Sequence, residues 1–278
     1  MTEPLQWRRM KKNKIAETES LLQSNERWCM NACSRYLNRN PQKDHVWLLV
    51  NRAGDIHALI VHSKQNLLPL LCAREIPPPN FLRGLLGVPV HSLQGRKEDV
   101  LAMETALEKI GLHAVEKIDY DLMCMDGPPS GYSPGLSGLV IRKPQPADME
   151  ALATLHAAYE QEEVLPAASE FNAAVSRLNM ERIYANEQML VAEFGGRLIG
   201  KINTNAVTFT RYQIGGVYVL PEYRGMGIAR RMAVEFVSGL IAQGRKISLF
   251  VKKTNPAARR VYQRIGFEIL GDYRIDYF

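Results

Sequence analysis

Two kinds of hydrophobic pattern alternate along the chain. Short runs of aliphatic and β-branched residues between turn formers predict strands, whereas apolar positions three and four residues apart predict helices. In the second half of the sequence the predicted order is a strand, two helices, three strands, a helix, a strand, a helix and closing strands. The first half gives a similar order: a helix, three strands, a short helix, a strand, a helix and strands. The patterns therefore predict an α/β (α+β) protein.

Turn formers dominate one segment near the middle of the chain. Residues 126–135 read Asp-Gly-Pro-Pro-Ser-Gly-Tyr-Ser-Pro-Gly, and a regular hydrophobic pattern resumes after them. A chain of 278 residues is long for one domain and suits two. We predict an N-terminal domain over 1–126, a linker over 127–137 and a C-terminal domain over 138–278.

The first domain contains a weak repeat of the second. Residues 109–112 (Lys-Ile-Gly-Leu) precede a strand at 119–121, just as residues 264–267 (Arg-Ile-Gly-Phe) precede a strand at 273–276. The offset is 155 positions, and at both places a helix, a glycine and a strand follow one another. Together with the similar order of elements, this repeat predicts two copies of one fold.

The strongest candidate for chemistry is the strand, turn and helix over residues 215–230. Gly225 and Gly227 lie in the turn, and a glycine lets the backbone come close to a phosphate because no Cβ intervenes. Backbone N–H groups at the start of a helix bind anions. The turn is therefore predicted to bind an anion. Three basic residues add positive charge around it: Arg224, Arg230 and Arg231.

Two motifs resemble those of a known family. The pattern Arg224-x-x-Gly227-x-Ala229 resembles the coenzyme A pyrophosphate loop of the GNAT superfamily of N-acetyltransferases, and it matches neither the dinucleotide fingerprint nor the phosphate loop of NTPases. The spacing Asn255-x-x-Ala258-x-x-x-Tyr262-x-x-x-Gly266-Phe267 resembles the family segment after the fifth strand. The resemblance implies two tandem GNAT-like domains, each a mixed, mainly antiparallel twisted sheet flanked by helices.

The resemblance also implies a reaction and a set of contacts. A GNAT enzyme moves an acetyl group from acetyl-CoA directly to an amine in a ternary complex. A fourth-strand amide would polarise the thioester carbonyl, and Tyr262 would be the general acid that protonates the departing thiolate. Asn255 is expected to cap its helix and to face the cofactor. The residues expected to contact acetyl-CoA are Val217, Tyr218, Val219, Arg224, Gly225, Met226, Gly227, Ile228, Ala229, Arg230 and Asn255.

The general base is not identified by the sequence. Many relatives place a glutamate on the fourth strand, but residues 213–219 of this chain contain no carboxylate. Glu160, Glu163, Glu193 or a chain of water molecules remain alternatives. His156 shares a helix face with apolar residues and is predicted to be a core or groove residue. The acceptor amine is left open.

The first domain has lost the motifs of the second. At the offset of the repeat, Leu107 corresponds to Tyr262 and Val100 to Asn255, and no segment matches the Arg224–Ala229 loop. We expect this domain neither to bind coenzyme A nor to catalyse, and to have a structural or substrate-shaping role. An alternative therefore stays open, in which the protein is a non-catalytic acyl-CoA-binding sensor or protein-interaction module.

Composition limits the partners. The formal net charge of +6 is spread thinly over both halves, without the concentrated basic face of a nucleic-acid binder. Neither a membrane-spanning apolar run nor a signal-peptide pattern is present, so we predict a cytoplasmic protein. The cysteines have neither disulfide-framework nor zinc-ligand spacing and are predicted to be free thiols, and no metal is expected. They are Cys29, Cys33, Cys72 and Cys124.

Overall fold

The computed structural model describes residues 4–72, 76–85, 87, 89–131, 136–165 and 170–278. The chain divides into two compact units. The first consists of Met1–Leu122 together with Gly271–Phe278, and the second of Met123–Leu270.

The first unit contains a sheet with helices packed on it. Its strands β1 to β4 pair antiparallel in sequence order, and β4 pairs parallel with β5. The last three residues of β6 belong to the second unit. The elements are β1 (Gln6–Arg9), α1 (Ile15–Ser24), α2 (Met30–Leu37), β2 (His45–Val50), β3 (Ile56–Ser63), β4 (Asn66–Leu70), α3 (Pro79–Leu85), β5 (Ser92–Arg96), α4 (Lys97–Glu108) and β6 (Glu116–Met125).

The second unit repeats this arrangement. Its strands β7 to β10 pair antiparallel in sequence order, and β10 pairs parallel with β11. The elements are β7 (Val140–Arg142), α5 (Met149–Tyr159), α6 (Ala173–Asn186), β8 (Met189–Phe194), β9 (Arg197–Val207), β10 (Arg211–Val219), α7 (Ile228–Ala242), β11 (Lys246–Lys252), α8 (Pro256–Arg264) and β12 (Glu268–Tyr277).

The two halves of the sequence therefore follow one order: a strand, two helices, three strands, a helix, a strand, a helix and a strand. The predicted α/β fold with a mixed, mainly antiparallel sheet flanked by helices is confirmed. The order in the first half agrees with the expected repeat. It stays a prediction that this half is a degenerate GNAT-like domain.

The last strand differs from its prediction. The hydrophobic pattern predicts two short strands, 267–270 and 273–278, inside the C-terminal domain. In the structure β12 runs through Gly271, where a Cβ would lie 2.8 Å from the Trp28 ring, so only glycine fits without a shift. Residues 271–278 belong to the first unit, because Tyr273–Tyr277 pairs antiparallel with β5. The first division, after Leu122, lies shortly before the predicted domain end at 126, and residues 132–135 of the predicted linker lie outside the described part of the chain.

Three other elements of the first half also differ from expectation. The spacing of Ile15, Leu22, Cys29 and Cys33 predicts a single helix over 14–36, but the structure has two helices, interrupted at residues 25–29. The sequence also predicts a strand over 88–93, which the structure places at 92–96. Strand β1 was not predicted, because its sequence Gln-Trp-Arg-Arg is polar and largely exposed and has no apolar alternation.

Two apolar clusters cover the two faces of the second unit's sheet. Helix α7 buries Ile228, Met232, Phe236 and Leu240 in one of them, which confirms the predicted helical stripe. Helices α5 and α6 contribute to the other cluster. The sheet is therefore held between two helical layers, and β10 lies within it.

Candidate functional site

Strands β10 and β11 begin as parallel neighbours and then part. Their pairing covers Arg211–Ile214 on β10 and Lys246–Leu249 on β11, although β10 continues to Val219 and β11 to Lys252. In the described residues, the rest of this edge of β10 has no partner strand. An unpaired strand edge offers N–H and C=O groups to an extended ligand. The predicted contacts Val217, Tyr218 and Val219 lie on this stretch.

A bulge shapes the same stretch of β10. Gly215 stands opposite Asn203 and Tyr218 opposite Lys201, so β10 has one extra residue in this interval. The extra residue allows Gly216 to adopt a φ of +58°, a left-handed conformation that glycine reaches without strain. A Cβ on Gly216 would overlap the side-chain oxygen of Asn203. Glycine is thus required here by both backbone conformation and space.

The turn after β10 presents backbone amides that donate to no backbone oxygen in the described part of the chain. Gly225 has φ +80° and Gly227, which caps α7, has φ +76°. Among the described residues no backbone oxygen accepts from the N–H groups of 225–230, and the first such bond of α7 runs from Arg231 N to Gly227 O, at 3.0 Å. These amides lie at the positive end of a helix dipole. The donor set fits the diphosphate of coenzyme A.

The Arg224 side chain is bound by an acid and does not lie free beside the turn. Its two terminal nitrogens donate to both carboxylate oxygens of Glu162 at 2.8 Å, and its Nε donates to Val219 O at 2.9 Å. Glu162 belongs to a π-helical turn, Glu160–Val164, that continues α5. The guanidinium lowers the pKa of the Glu162 carboxyl. The turn's attraction for an anion therefore comes mainly from its amides.

The two remaining arginines beside the turn also have partners. Arg230 donates to the carbonyl of Gly131 at 3.3 Å. Arg231 donates from Nε to Glu235 Oε1 at 3.0 Å. Of the other predicted contacts on the turn, Met226 is exposed, and Ile228, the first residue of α7, is buried.

Helix α8 begins with Asn255 and places Tyr262 in the core. The Asn255 side chain accepts from Ala258 N at 3.0 Å, which confirms the predicted cap, and its Nδ2 donates to Glu163 Oε1 at 3.2 Å. Tyr262 is 7% exposed and packs edge-on against Phe267. Burial, with smaller effects of Tyr159 and Glu163, raises the pKa of Tyr262 above its ordinary value, so the phenol keeps its proton at neutral pH.

The three carboxylates considered as general bases have different surroundings. Glu193 accepts from Arg142 Nε at 2.6 Å, which places it in an ion pair on the first two strands of this unit. Glu160 accepts from Asn179 Nδ2 at 3.1 Å and lies 3.2 Å from His156 Nε2. Glu163 is half-buried, burial raises the pKa of its carboxyl, and it influences the pKa of Tyr262. Of the three, Glu163 is the one beside Tyr262 and Asn255.

His156 is buried, as its helix face predicts, with 3% of its surface exposed. Burial, followed by the nearby Lys201, lowers the pKa of His156 to about 4. The imidazole is therefore neutral at physiological pH.

Sequence reasoning missed Lys201, which is fully buried on β9. Its Nζ donates to Gly216 O at 2.9 Å and to Asn203 Oδ1 at 3.1 Å, and it lies 4.7 Å from the centre of the Tyr159 ring. Burial lowers the pKa of Lys201 to about 7, against the opposing effect of Glu160. The available signal was the alternation of Lys201, Asn203 and Asn205 on one face of a strand beside Gly215-Gly216.

The first unit has apolar residues where the second has Asn255 and Tyr262, and its strands β4 and β5 lie close together. Val100 and Leu107, which correspond to Asn255 and Tyr262, are buried in its core. A Cβ on Gly95 of β5 would lie 3.3 Å from Pro69 O of β4, so these two strands are still in close contact beyond their paired residues Leu67 and Leu93. Within the described residues no cluster of His, Cys, Asp and Glu side chains is placed to hold a metal ion, and no helix has the length and hydropathy needed to cross a membrane.

Comparisons with known proteins support this description. Residues 150–267 match the family model described as "Acetyltransferase (GNAT) family". The N-alpha-acetyltransferase RimI of Mycobacterium tuberculosis is 30% identical over 96 residues, which cover 34% of this chain and 60% of that protein. The chain spans between 55% and 60% of the length of the curated relatives it matches.

Solved structures match the fold over the whole chain. A Drosophila protein aligns with a TM-score of 0.65 and 13% identity, covering 100% of this chain and 99% of its own. A GCN5-related N-acetyltransferase from Sphaerobacter thermophilus aligns with a TM-score of 0.58 and 19% identity, covering 99% and 96%. At these identities the likeness establishes the fold, which includes the first half of the chain.

Proposed function

Because residues 150–267 match the model of the GNAT acetyltransferase family, we propose that this protein transfers the acetyl group of acetyl-CoA directly to a primary amine. The proposal rests on one observation. Strands β10 and β11 part immediately before a turn in which the N–H groups of 225–230 have no backbone acceptor among the described residues. The parted edge suits an extended pantetheine arm, and the turn suits a diphosphate.

Acetyl-CoA supplies an acetyl group activated as a thioester. The side chains and amides of this domain polarise the thioester and transfer the protons. An amide of Val217 or Val219 donates to the thioester oxygen as negative charge develops on it. Tyr262 holds the proton that the departing sulfur requires, since its raised pKa keeps the phenol neutral. Glu163 is the favoured proton acceptor for the amine, directly or through water. The two reactants are held together, which supplies much of the rate.

The Tyr262→Phe variant tests the proposed acid. We expect kcat to fall about ten- to a hundredfold, at the low end for general acid catalysis, because a thiolate is a weak base and leaves readily. The KM for acetyl-CoA should change little, since the ring and its packing remain. The measurement is thiol release from acetyl-CoA in the presence of a panel of amines.

The Tyr212→Phe variant is the matched control, because it removes a phenol from the same domain whose hydroxyl contacts Gln188. It should transfer acetyl at the wild-type rate. Binding of acetyl-CoA without turnover of any amine, unaffected by Tyr262→Phe, would favour the non-catalytic sensor. Failure of the wild type to bind acetyl-CoA would reject both functions.

The Glu162→Gln variant tests whether an acid competes with the cofactor for Arg224. We expect tighter binding of coenzyme A, by a factor of about two to five, because an exposed ion pair contributes only ~0.2–1 kcal/mol. Isothermal titration calorimetry measures the dissociation constant. Glu150→Gln, which breaks the exposed pair with Arg177, is the control and should leave the affinity unchanged. Weaker binding in Glu162→Gln would mean that the ion pair holds the turn in its binding conformation.

A further inference from the structure

A fully buried lysine, Lys201, lies on β9 of the second unit, and no step of the proposed reaction uses it. Lys201 and Asn203 have no exposed surface. Burying an amino group costs free energy unless its hydrogen bonds are satisfied, so a lysine at this position requires acceptors nearby. Its hydrogen-bond acceptors are the carbonyl of Gly216 in the bulge of β10 and the side chain of Asn203, which lies opposite the bulge on β9.

The contacts of Lys201 hold the backbone of one residue. Its Nζ donates to the carbonyl oxygen of Gly216 at 2.9 Å. The backbone of Gly216 also interacts with the hydroxyl of Tyr159, and the ring of Tyr159 lies 4.7 Å from the lysine Nζ. Asn203 accepts from Lys201 at 3.1 Å and donates to Thr204 O at 2.9 Å, which fixes the lysine in turn. The backbone of Gly216, the left-handed residue of the bulge, is therefore hydrogen-bonded by Lys201 through its carbonyl oxygen.

The position of the bulge links this network to the reaction. Gly216 directly precedes Val217, and the peptide that contains the Gly216 carbonyl also contains the Val217 N–H. Fixing the carbonyl oxygen therefore fixes the direction of that N–H. We propose that Lys201 is a positioning residue for acetyl transfer, holding the Gly216–Val217 peptide so that its N–H is oriented to donate to the thioester oxygen. This inference rests on the proposed function of the same site.

The Lys201→Met variant separates positioning from stability. Methionine keeps the length and apolar character of the lysine stem but cannot donate to Gly216 O. We expect kcat to fall about three- to tenfold, the loss of one hydrogen bond from a largely uncharged amino group. The KM for acetyl-CoA should stay within about threefold, because the turn at 225–230 is untouched. Lys201→Gln, which retains a shorter N–H donor, should recover part of kcat. Lys246→Met, an exposed lysine on β11, controls for loss of a lysine as such.

A second measurement needs no acceptor amine. Isotope-edited infrared spectra of acetyl-CoA labelled with ¹³C at its carbonyl report how strongly the bound thioester is polarised. The wild type should lower the carbonyl stretching frequency relative to free acetyl-CoA, and Lys201→Met should lose most of that shift. An equal shift and equal kcat in wild type and Lys201→Met would overturn the inference, as would a rise in KM alone. Failure of both the Met and Gln variants to fold would assign Lys201 to stability and overturn it too. If the wild type itself does not bind acetyl-CoA, the proposed function fails first.

Discussion

The Gly216→Val variant should lose about a hundred- to a thousandfold in the rate of acetyl transfer. Valine is strained at a φ of +58°, at a cost of roughly 1–3 kcal/mol. Its Cβ would also overlap Asn203 and lie 2.8 Å from Lys201 Nζ, which adds roughly 1–3 kcal/mol of overpacking. The bulge must therefore shift, and a displaced backbone donor costs about a hundred- to a thousandfold in rate.

The measurement combines thiol release with urea unfolding of the full chain, followed by circular dichroism. We expect the free energy of unfolding to fall by about 2–6 kcal/mol. Gly239→Ala is the matched control. It lies in α7, where nothing stands within 4 Å of an added Cβ, and alanine should stabilise the helix by about 1 kcal/mol with wild-type activity. Wild-type activity in Gly216→Val would mean that the bulge has no part in the reaction.

The Lys201→Met variant should be stabilised relative to the wild type at neutral pH, by an amount that shrinks as the pH rises. The folded pKa of Lys201 is about 7 and lies below the ordinary value of 10.5. Between these values the unfolded chain binds a proton that the folded chain does not, so wild-type stability rises with pH. Below pH 7 the folded protein bears the full cost of the buried charge. The difference between the two proteins should therefore change by about 2–3 kcal/mol from pH 6.5 to 9.

Urea unfolding of both proteins across this range measures the difference. The groups that face Lys201 are His156 and Tyr159 of α5 and Glu160 of the π-helical turn. The pKa of His156 is about 4 and that of Tyr159 about 12, so both titrate outside the window in the folded state. Lys246→Met again controls for the loss of a lysine. If the difference in unfolding free energy between Lys201→Met and the wild type stays constant with pH, the prediction that a charge on Lys201 destabilises the fold is wrong.

Together the two variants describe one property of the site. Lys201→Met is expected to be slower in the reaction and yet more stable at neutral pH. That combination is characteristic of residues kept for function at a cost to the fold. The polar side chains of β9 also explain why residues 215 and 216 are glycines, because a Cβ at either position would overlap these side chains.

Features that depend on neighbours in the chain were predictable from the sequence. The glycine turn, the buried stripe of α7 and the Asn255 cap each depend on residues within a few positions of one another. Local hydrogen bonds and helical spacing are therefore sufficient to determine them. Most of the order of helices and strands in both halves was also predictable, because it depends on the same local spacing of hydrophobic residues.

Contacts between distant parts of the chain were decided only by the tertiary structure. The pairing of β12 with β5 joins residues about 180 positions apart, and no local pattern encodes a strand's partner. The ion pair of Arg224 with Glu162 and the burial of Lys201 beside Gly216 have the same origin. The sequence by itself determined which residues form the turn and the helices around it. Only the folded chain determined which side chains meet there, because burial and charge pairing depend on what the rest of the protein brings to the same point in space.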